Sequence, residues 1–255
     1  MRPKIAAAAA CVALAAVAAI VFWGAAQRGA DAPLGKACDP DAELPTIGRS
    51  LDLALYVGRS VDEDLARSLA SRAAVYFGEF GLQVDIAEPV RELPYRVMLP
   101  APRDMPATAP QADAGAQAEK LLGRLRGFVS RHADEPGSAI RVVVIDEIAH
   151  EDSLAAAGLG TLRGLAISPA LAPDRAGLDL REMFGRDHAP VVLLAPRGDP
   201  EADARVLAHE IGHALGLEHR HHPHNLMTQH EHGCAPLLDD DQAEIIRGAL
   251  SDLQL

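Results

Sequence analysis

Five residues in the C-terminal part of this chain have the types and spacing of a catalytic metal site. His209, Glu210 and His213 stand in the order H-E-x-x-H, and Gly216 and His219 extend it to H-E-x-x-H-x-x-G-x-x-H. Histidine nitrogens bind zinc, and a glutamate beside them can accept a proton from water. The pattern therefore predicts metal-assisted hydrolysis, with the three histidines as ligands and Glu210 as the general base.

These ligands require a helix that ends between the second and the third of them. Residues four apart lie on one face of an α-helix, so His209 and His213 can point at one ion. A continuous helix would carry His219 about 9 Å beyond His213, too far for zinc–nitrogen bonds of about 2.0–2.1 Å. Gly216 can adopt the left-handed conformation that ends a helix. Three nitrogens leave a fourth position open for water, as in catalytic zinc sites.

The residues around the motif predict how this helix begins and packs. Asp199 followed by Pro200 is typical of an N-cap and a first helical turn. A core-facing stripe is predicted by three apolar residues spaced four apart, Leu207, Ile211 and Leu215. Gly212 disfavours a helix interior by about 1 kcal/mol, so we expect a closely packed neighbour at that position.

The long motif resembles that of the metzincin clan of zinc endopeptidases. Eight residues after His219 comes Met227, in the sequence Asn-Leu-Met-Thr, which is similar to the Met-turn that lies under the metal in that clan. The resemblance implies zinc as the cofactor and an α+β, zincin-like fold. In such a fold a mixed twisted sheet is flanked by helices, with an active-site helix, a Met-turn and a C-terminal helix. The resemblance covers residues 49–255, and its specific part is 209–227.

The predicted order of elements agrees with this resemblance. Hydrophobic patterns predict strands over residues 51–57, 82–87, 139–145, 162–168 and 191–195. A helix is predicted over residues 61–80, with Leu65, Leu69 and 75–77 facing the core. A final helix is predicted over residues 240–253, with Asp239 and Gln242 as its capping box. The resemblance implies that 162–168 is the edge strand along which an extended peptide or protein substrate binds.

The features that distinguish subfamilies of this clan do not all favour the same one. A helix predicted over residues 112–132 resembles the layout of archaemetzincins, but the Cys-rich zinc knuckle expected after the motif is missing. The short step to Met227 is more similar to matrixins. Gln229 stands where astacins carry a tyrosine. The closest label is a matrixin-like bacterial peptidase.

The N-terminus predicts export. Residues 5–26 carry no charge and follow Arg2 and Lys4, a pattern typical of a signal peptide or an uncleaved transmembrane signal anchor. We therefore divide the chain into this segment (1–26), a linker or short pro-segment (27–48) and one catalytic domain (49–255) with an insertion at 100–138. The product would be extracytoplasmic, either membrane-anchored or secreted or periplasmic. The net charge of −12 disfavours a nucleic-acid partner.

Two cysteines, Cys38 and Cys234, lie outside the apolar N-terminal segment. An even pair in an oxidising compartment predicts a disulfide between them. The alternative is that Cys38 blocks the zinc as a latency thiolate, since its surroundings loosely resemble the matrixin switch.

Further clusters of potential ligands surround the motif. Five more histidines follow it, namely His221, His222, His224, His230 and His232. They would form a second metal site or, as we favour, a solvated rim of the cleft. Asp146, Glu147, Glu151 and Asp152 would bind a structural calcium ion or, more simply, form a solvated loop.

Two other functions fit the sequence. One is a non-catalytic zinc-binding or His-rich interaction module. The other is a zinc amidase that acts on a cell-wall peptide. Glu210 and the open fourth position favour the zinc endopeptidase over the binding module.

Overall fold

The computed structural model describes residues 44–94, 97–99, 127, 140–149, 163–168, 189–221, 224–228 and 238–253 of the 255-residue chain. The strands are β1 (Arg49–Gly58), β2 (Leu82–Leu93), β3 (Val97–Leu99), β4 (Ile140–Val144), β5 (Glu147–Ala149), β6 (Gly164–Ile167) and β7 (Val191–Leu194). The helices are α1 (Glu63–Gly78), α2 (Pro200–Ala214) and α3 (Asp240–Leu253).

A five-stranded mixed sheet organises these elements. Its order is β2-β1-β4-β7-β6, and every neighbouring pair is parallel except β6 with β7, which is antiparallel. The central strands β4 and β7 are buried along their whole length. β7 is an apolar run, as expected of a strand covered on both faces, whereas β4 includes the buried Arg141 and is not the continuous apolar run that its pattern suggested. The predicted mixed sheet with flanking helices is confirmed, and β6 lies at its edge.

Helix α1 packs on the sheet through small residues. Its N-cap is Asp62, whose side chain accepts a hydrogen bond from the Asp64 N–H. The buried face contains Leu69 and Phe77 together with three alanines, Ala66, Ala70 and Ala73. Leu65 and Val75 are exposed, so the prediction that they face the core was wrong. Leu65 and Val75 lie outside the stripe that these five buried residues form along the helix.

Two further boundaries differ from the prediction. Strand β2 is twice as long as expected and continues to Leu93, with a register shift between its pairing to Ala54 and its pairing to Tyr56 of β1. Residues 147–149, predicted as a charged loop, form β5 and pair in parallel with β3. The sequence pattern missed both because pairing with a neighbour, rather than local apolar alternation, stabilises these segments.

Several predicted features lie outside the described residues. These are the N-terminal segment 1–26, most of the linker 27–48, both cysteines of the predicted disulfide, and the insertion 100–138 apart from Gly127. Within the described residues, no helix has the length and apolar character that crossing a membrane requires.

Candidate active site

Helix α2 begins and ends where the sequence predicts. The Asp199 side chain accepts hydrogen bonds from the N–H groups of Glu201 and Ala202, and Pro200 occupies the first turn. The apolar stripe of Leu207, Ile211 and Leu215 is fully buried. After Ala214 the chain turns through Gly216, which has φ 87°, a conformation that favours glycine over any residue with a Cβ.

This turn brings His219 back to the two histidines of the helix. One ring nitrogen from each of His209, His213 and His219 lies within 4.8 Å of the others, which makes the triad a group that could hold a metal ion. The Nε2 atoms of His213 and His219 are 2.7 Å apart. Among the described residues, no fourth histidine, cysteine, aspartate or glutamate joins this group. The arrangement therefore offers three ligands and an open side.

Backbone carbonyl oxygens orient two of the rings. The Nδ1 of His209 lies 2.8 Å from the Leu226 oxygen, and the Nδ1 of His213 lies 2.7 Å from the Leu217 oxygen. Because a carbonyl oxygen only accepts, each Nδ1 carries the proton and each Nε2 keeps its lone pair for a ligand.

Burial also keeps the three imidazoles neutral. Desolvation lowers the pKa of His209 to about 4. Desolvation, assisted by the neighbouring histidines, lowers the pKa of His213 to about 3 and that of His219 to about 2. Neutral imidazole is the form that binds metal. The triad is therefore ready to bind a cation at neutral pH without first losing protons.

The Glu210 carboxyl, which follows His209 on α2, lies against the edge strand. In the metal-free protein, burial raises the pKa of Glu210 to about 8, while a hydrogen bond from the Ala166 backbone opposes that shift. A carboxyl with a pKa near neutrality is suited to exchange protons in both directions during a reaction. Its side chain packs directly against Gly164, the first residue of β6.

Met227 packs against Gly212, in the turn of α2 that carries His209 and His213. A Cβ placed on Gly212 would come within 2.5 Å of the Met227 sulfur, so the glycine makes room for the methionine. This contact confirms the expected close neighbour of Gly212. The turn itself is closed by hydrogen bonds from the Thr228 N–H to the Asn225 oxygen and from the Arg220 N–H to the Met227 oxygen.

A buried amide pair connects this turn to α3. The side chains of Asn225 and Gln242 exchange hydrogen bonds of 2.7 and 3.1 Å, and the Asn225 Oδ1 also accepts from the Met227 N–H. Gln242 completes the predicted capping box with Asp239. Since the Leu226 oxygen accepts from His209, α3 is linked through Asn225 to a histidine of the triad.

Polar contacts hold the other side of the site, at β6. Asp203, buried in the first turns of α2, accepts from Arg163 at 2.8 Å and from the N–H groups of Arg197 and Gly198. At the far end of the strand, the Ser168 hydroxyl donates to the Ala214 oxygen at 2.6 Å. Both ends of β6 are thus attached to the active-site helix.

The backbone of β6 presents hydrogen-bonding groups at the open edge of the sheet. The Ala195 N–H donates to the Arg163 oxygen, so the backbone groups of Arg163 point toward β7. Because this direction alternates along a strand, those of Gly164 and Ala166 point away from β7. In the described part of the chain no further strand pairs with that side.

The other predicted ligand clusters are not assembled. The triad is the one group of three or more potential ligands that the described residues form. His221 and His224 are described but do not join it, whereas His222, His230 and His232 lie outside the described residues. Of the acidic cluster, Asp146 accepts from Ser60, and Glu151 and Asp152 lie outside the described residues. A calcium site has no support among the residues described.

Sequence reasoning missed four residues that shape the site, namely Arg163, Gly164, Ser168 and Asp203. Only Gly164 left a signal, because a glycine inside a strand pattern often marks the close approach of another group. Asp203 resembles an ordinary acidic residue of a first helical turn. Its pairing with a residue forty positions away has no local signature.

Comparison with known proteins gives the following similarities. The sequence matches no protein-family model and no curated protein. Among solved structures, the chain is similar to metalloproteinase-II from Bacteroides fragilis, at 13% identity and a TM-score of 0.47 over 80% of this chain and 54% of that one. It is also similar to a zinc-dependent peptidase from Methanocorpusculum labreanum, at 16% identity and a TM-score of 0.37 over 79% of this chain and 99% of that one. Archaemetzincin from Methanopyrus kandleri matches at 14% identity and a TM-score of 0.37, over 79% of this chain and 96% of that one. The chain thus spans about half the length of the Bacteroides protein.

Proposed function

We propose that this protein is a zinc-dependent endopeptidase in which His209, His213 and His219 hold the metal and Glu210 is the general base. The observation that carries the proposal is the convergence of three ring nitrogens within 4.8 Å, beside a carboxyl on the same helix. The sequence motif supports the same roles.

The donor set fits zinc. Three neutral imidazoles, two of them oriented by carbonyl oxygens, are typical zinc ligands. The absence of a fourth protein ligand among the described residues supports a catalytic rather than a structural ion. When bound, zinc would act as a Lewis acid that polarises the scissile carbonyl and lowers the pKa of water.

Glu210 would then move the proton. Its carboxylate accepts a proton from the attacking water and passes it to the leaving amine. The site favours this exchange because burial raises the pKa of Glu210 in the metal-free protein, so the protonated form is accessible near neutral pH. His209 and His213, whose Nδ1 atoms carry the proton, hold none on Nε2 and take no part in this transfer.

We further propose that the substrate is an extended peptide that pairs with the open edge of β6. The outward backbone groups of Gly164 and the outward carbonyl of Ala166, whose N–H is already bonded to Glu210, supply hydrogen bonds that do not depend on substrate sequence. The same strand carries the residues that contact Glu210, so a peptide paired there would pass close to the base. The apolar N-terminal segment supports action outside the cytoplasm.

The test combines metal analysis with peptide cleavage on the full-length protein. We expect about one zinc per chain, cleavage of a quenched peptide library, and loss of cleavage on chelation with recovery on adding zinc. Glu210→Ala should keep the zinc and lower turnover by about 10²–10⁴-fold. The matched control is Glu218→Ala, since Glu218 is an exposed glutamate of the same motif and should leave turnover unchanged.

Other outcomes would distinguish the alternatives. Full cleavage by Glu210→Ala would overturn the general-base role. Bound zinc without cleavage of any linear peptide would favour a binding module, or an amidase if cell-wall peptide is cleaved instead. A chain that binds no zinc would overturn the proposal as a whole.

A further inference from the structure

Gly164 has no Cβ at the point where one would overlap the catalytic carboxyl. A Cβ built on Gly164 would lie 2.6 Å from both the Cγ and the Oε1 of Glu210, and 2.9 Å from its Cδ. Such separations are shorter than those real Cβ atoms show. The Glu210 side chain therefore fills the volume that a side chain at position 164 would need.

Backbone conformation does not explain this glycine. Four glycines in the described residues have positive φ, namely Gly48, Gly81, Gly198 and Gly216, and Gly164 is not among them. Its backbone conformation is open to any residue. The requirement for glycine at position 164 is therefore one of space.

Other contacts prevent Gly164 and the backbone of Glu210 from moving apart. Strand β6 is attached to α2 through Arg163 and the buried Asp203 at one end and through Ser168 and the Ala214 oxygen at the other. Glu210 is fixed by the backbone of α2, and its carboxyl also accepts a hydrogen bond from Ala166, two residues beyond Gly164. An added methyl group would have to be accommodated by turning the Glu210 side chain to another rotamer.

We propose that Gly164 is a positioning residue, whose missing side chain lets the Glu210 carboxyl lie against the edge strand and face the triad. This inference rests on the proposed function for its catalytic consequence, but the packing contact it invokes can be measured without catalysis. It also assigns the edge strand a second role, because the strand that would bind substrate also sets the position of the base.

The first experiment compares Gly164→Ala with the wild type in the full-length chain. We expect unchanged zinc content and a loss of turnover of ten-fold or more, since a displacement of about 1 Å at a catalytic group can cost about 100-fold. The control is Gly248→Ala, because a Cβ on Gly248 meets nothing within 4 Å. Wild-type turnover by Gly164→Ala would overturn the proposal.

The second experiment separates displacement of Glu210 from general damage. The residual turnover of Glu210→Ala should not fall further when Gly164→Ala is added, because a side chain that ends at Cβ no longer reaches the volume at position 164. An equal loss in both backgrounds would mean that the methyl group acts on something other than Glu210.

The third experiment does not depend on peptidase activity. Gly164→Ala should lower the unfolding midpoint of the metal-free protein when Glu210 is present, and should not lower it in Glu210→Ala. This non-additivity would report the contact even if the chain cleaved no peptide, so failure of the proposed function and failure of this inference can be told apart. Equal shifts in the two backgrounds would contradict the inference.

Discussion

The two sides of the histidine triad are held by different kinds of contact. On the side of β6, a buried ion pair and hydroxyl and amide hydrogen bonds attach the edge strand to α2, and Glu210 lies at this side. On the side of the Met-turn, Met227 packs under Gly212, and buried amides connect the turn to α3. The Met-turn side positions His209, because the Leu226 oxygen orients its ring. The contrast indicates that Glu210 and His209 can be perturbed separately.

The largest effect should come from breaking the buried ion pair on the edge-strand side. Asp203→Ala removes the carboxylate that pairs with the buried Arg163 and the acceptor of two backbone N–H groups. We expect a loss of about 3–5 kcal/mol in the free energy of unfolding, the typical result of removing one partner of a buried pair. Denaturant unfolding would measure this loss.

A matched exposed pair provides the control for Asp203→Ala. Arg67 pairs with Glu63 and Glu88 at the surface, so Glu63→Ala should cost no more than about 1 kcal/mol. Similar losses from Asp203→Ala and Glu63→Ala would show that the buried pair does not fasten the strand.

The next largest effect should appear on the Met-turn side, in metal affinity. Gly212→Ala places a Cβ against the Met227 sulfur, and the resulting shift of the turn moves the carbonyl that orients His209. We expect zinc affinity to fall by about 10–100-fold, as is usual when a group that orients a ligand is lost. Competition with a chromophoric chelator would measure it.

Gly212→Ala should differ in zinc affinity from Gly164→Ala, because we expect Gly164→Ala to keep its zinc. Gly248→Ala is again the control, and as a helical alanine it should be stabilising or neutral. If Gly212→Ala bound zinc as tightly as the wild type, the packing of Met227 would not control the triad.

A smaller effect on stability is expected from Gln242, whose hydrogen bonds form a network that connects Asn225 of the Met-turn to α3. Gln242→Ala removes both hydrogen bonds to the buried Asn225 and one to the Asp239 N–H. We expect a loss of about 1–3 kcal/mol in unfolding free energy, the cost of leaving buried polar groups unpaired. Glu244→Ala, an exposed change on the same helix, should stay within about 0.5 kcal/mol. Equal melting curves for the two variants would argue against the network.

The smallest effects should be on how the stability of the metal-free protein depends on pH. The three histidines and Glu210 should contribute to this dependence with opposite signs. The pKa values of the three histidines are lowered on folding, so their contribution to stability falls as pH drops below about 6.5. The pKa of Glu210 is raised from 4.5 to about 8, so its contribution falls as pH rises through that range. Unfolding midpoints of chelated protein between pH 5 and 8.5 would show both trends.

One substitution separates these two trends. Glu210→Gln should remove the loss at high pH and keep the loss at low pH. If the high-pH loss persisted in Glu210→Gln, another group would be its source.

The sequence predicted the ligand side of this site better than the strand side. The convergence of the histidine triad, the end of α2 at Gly216 and a close neighbour for Gly212 all follow from residue types and spacings within residues 209–227. The ion pair of Arg163 with Asp203 and the contact of Gly164 with Glu210 join residues some forty positions apart. Such contacts depend on how the sheet packs against the helix, which no local pattern encodes.

The same distinction explains the errors outside the site. Leu65 and Val75 satisfy a helical pattern, but the buried face of α1 is the one that carries its alanines. Strand β5 contains a charged residue, so its sequence did not predict a strand, and it is paired with β3. Apolar periodicity predicts that an element exists, whereas its orientation and its weaker partners depend on tertiary contacts.

A metal ion bound at the triad would also affect the stability of the turn at Gly216. Because the chain reverses there, the histidines of the helix and His219 belong to backbone segments that run in different directions. An ion bound to all three would act as a cross-link that closes a loop of a few residues at the end of α2. Part of the binding free energy would then appear as stability of that loop. A compartment poor in zinc would thus disable the site and also loosen the end of its central helix.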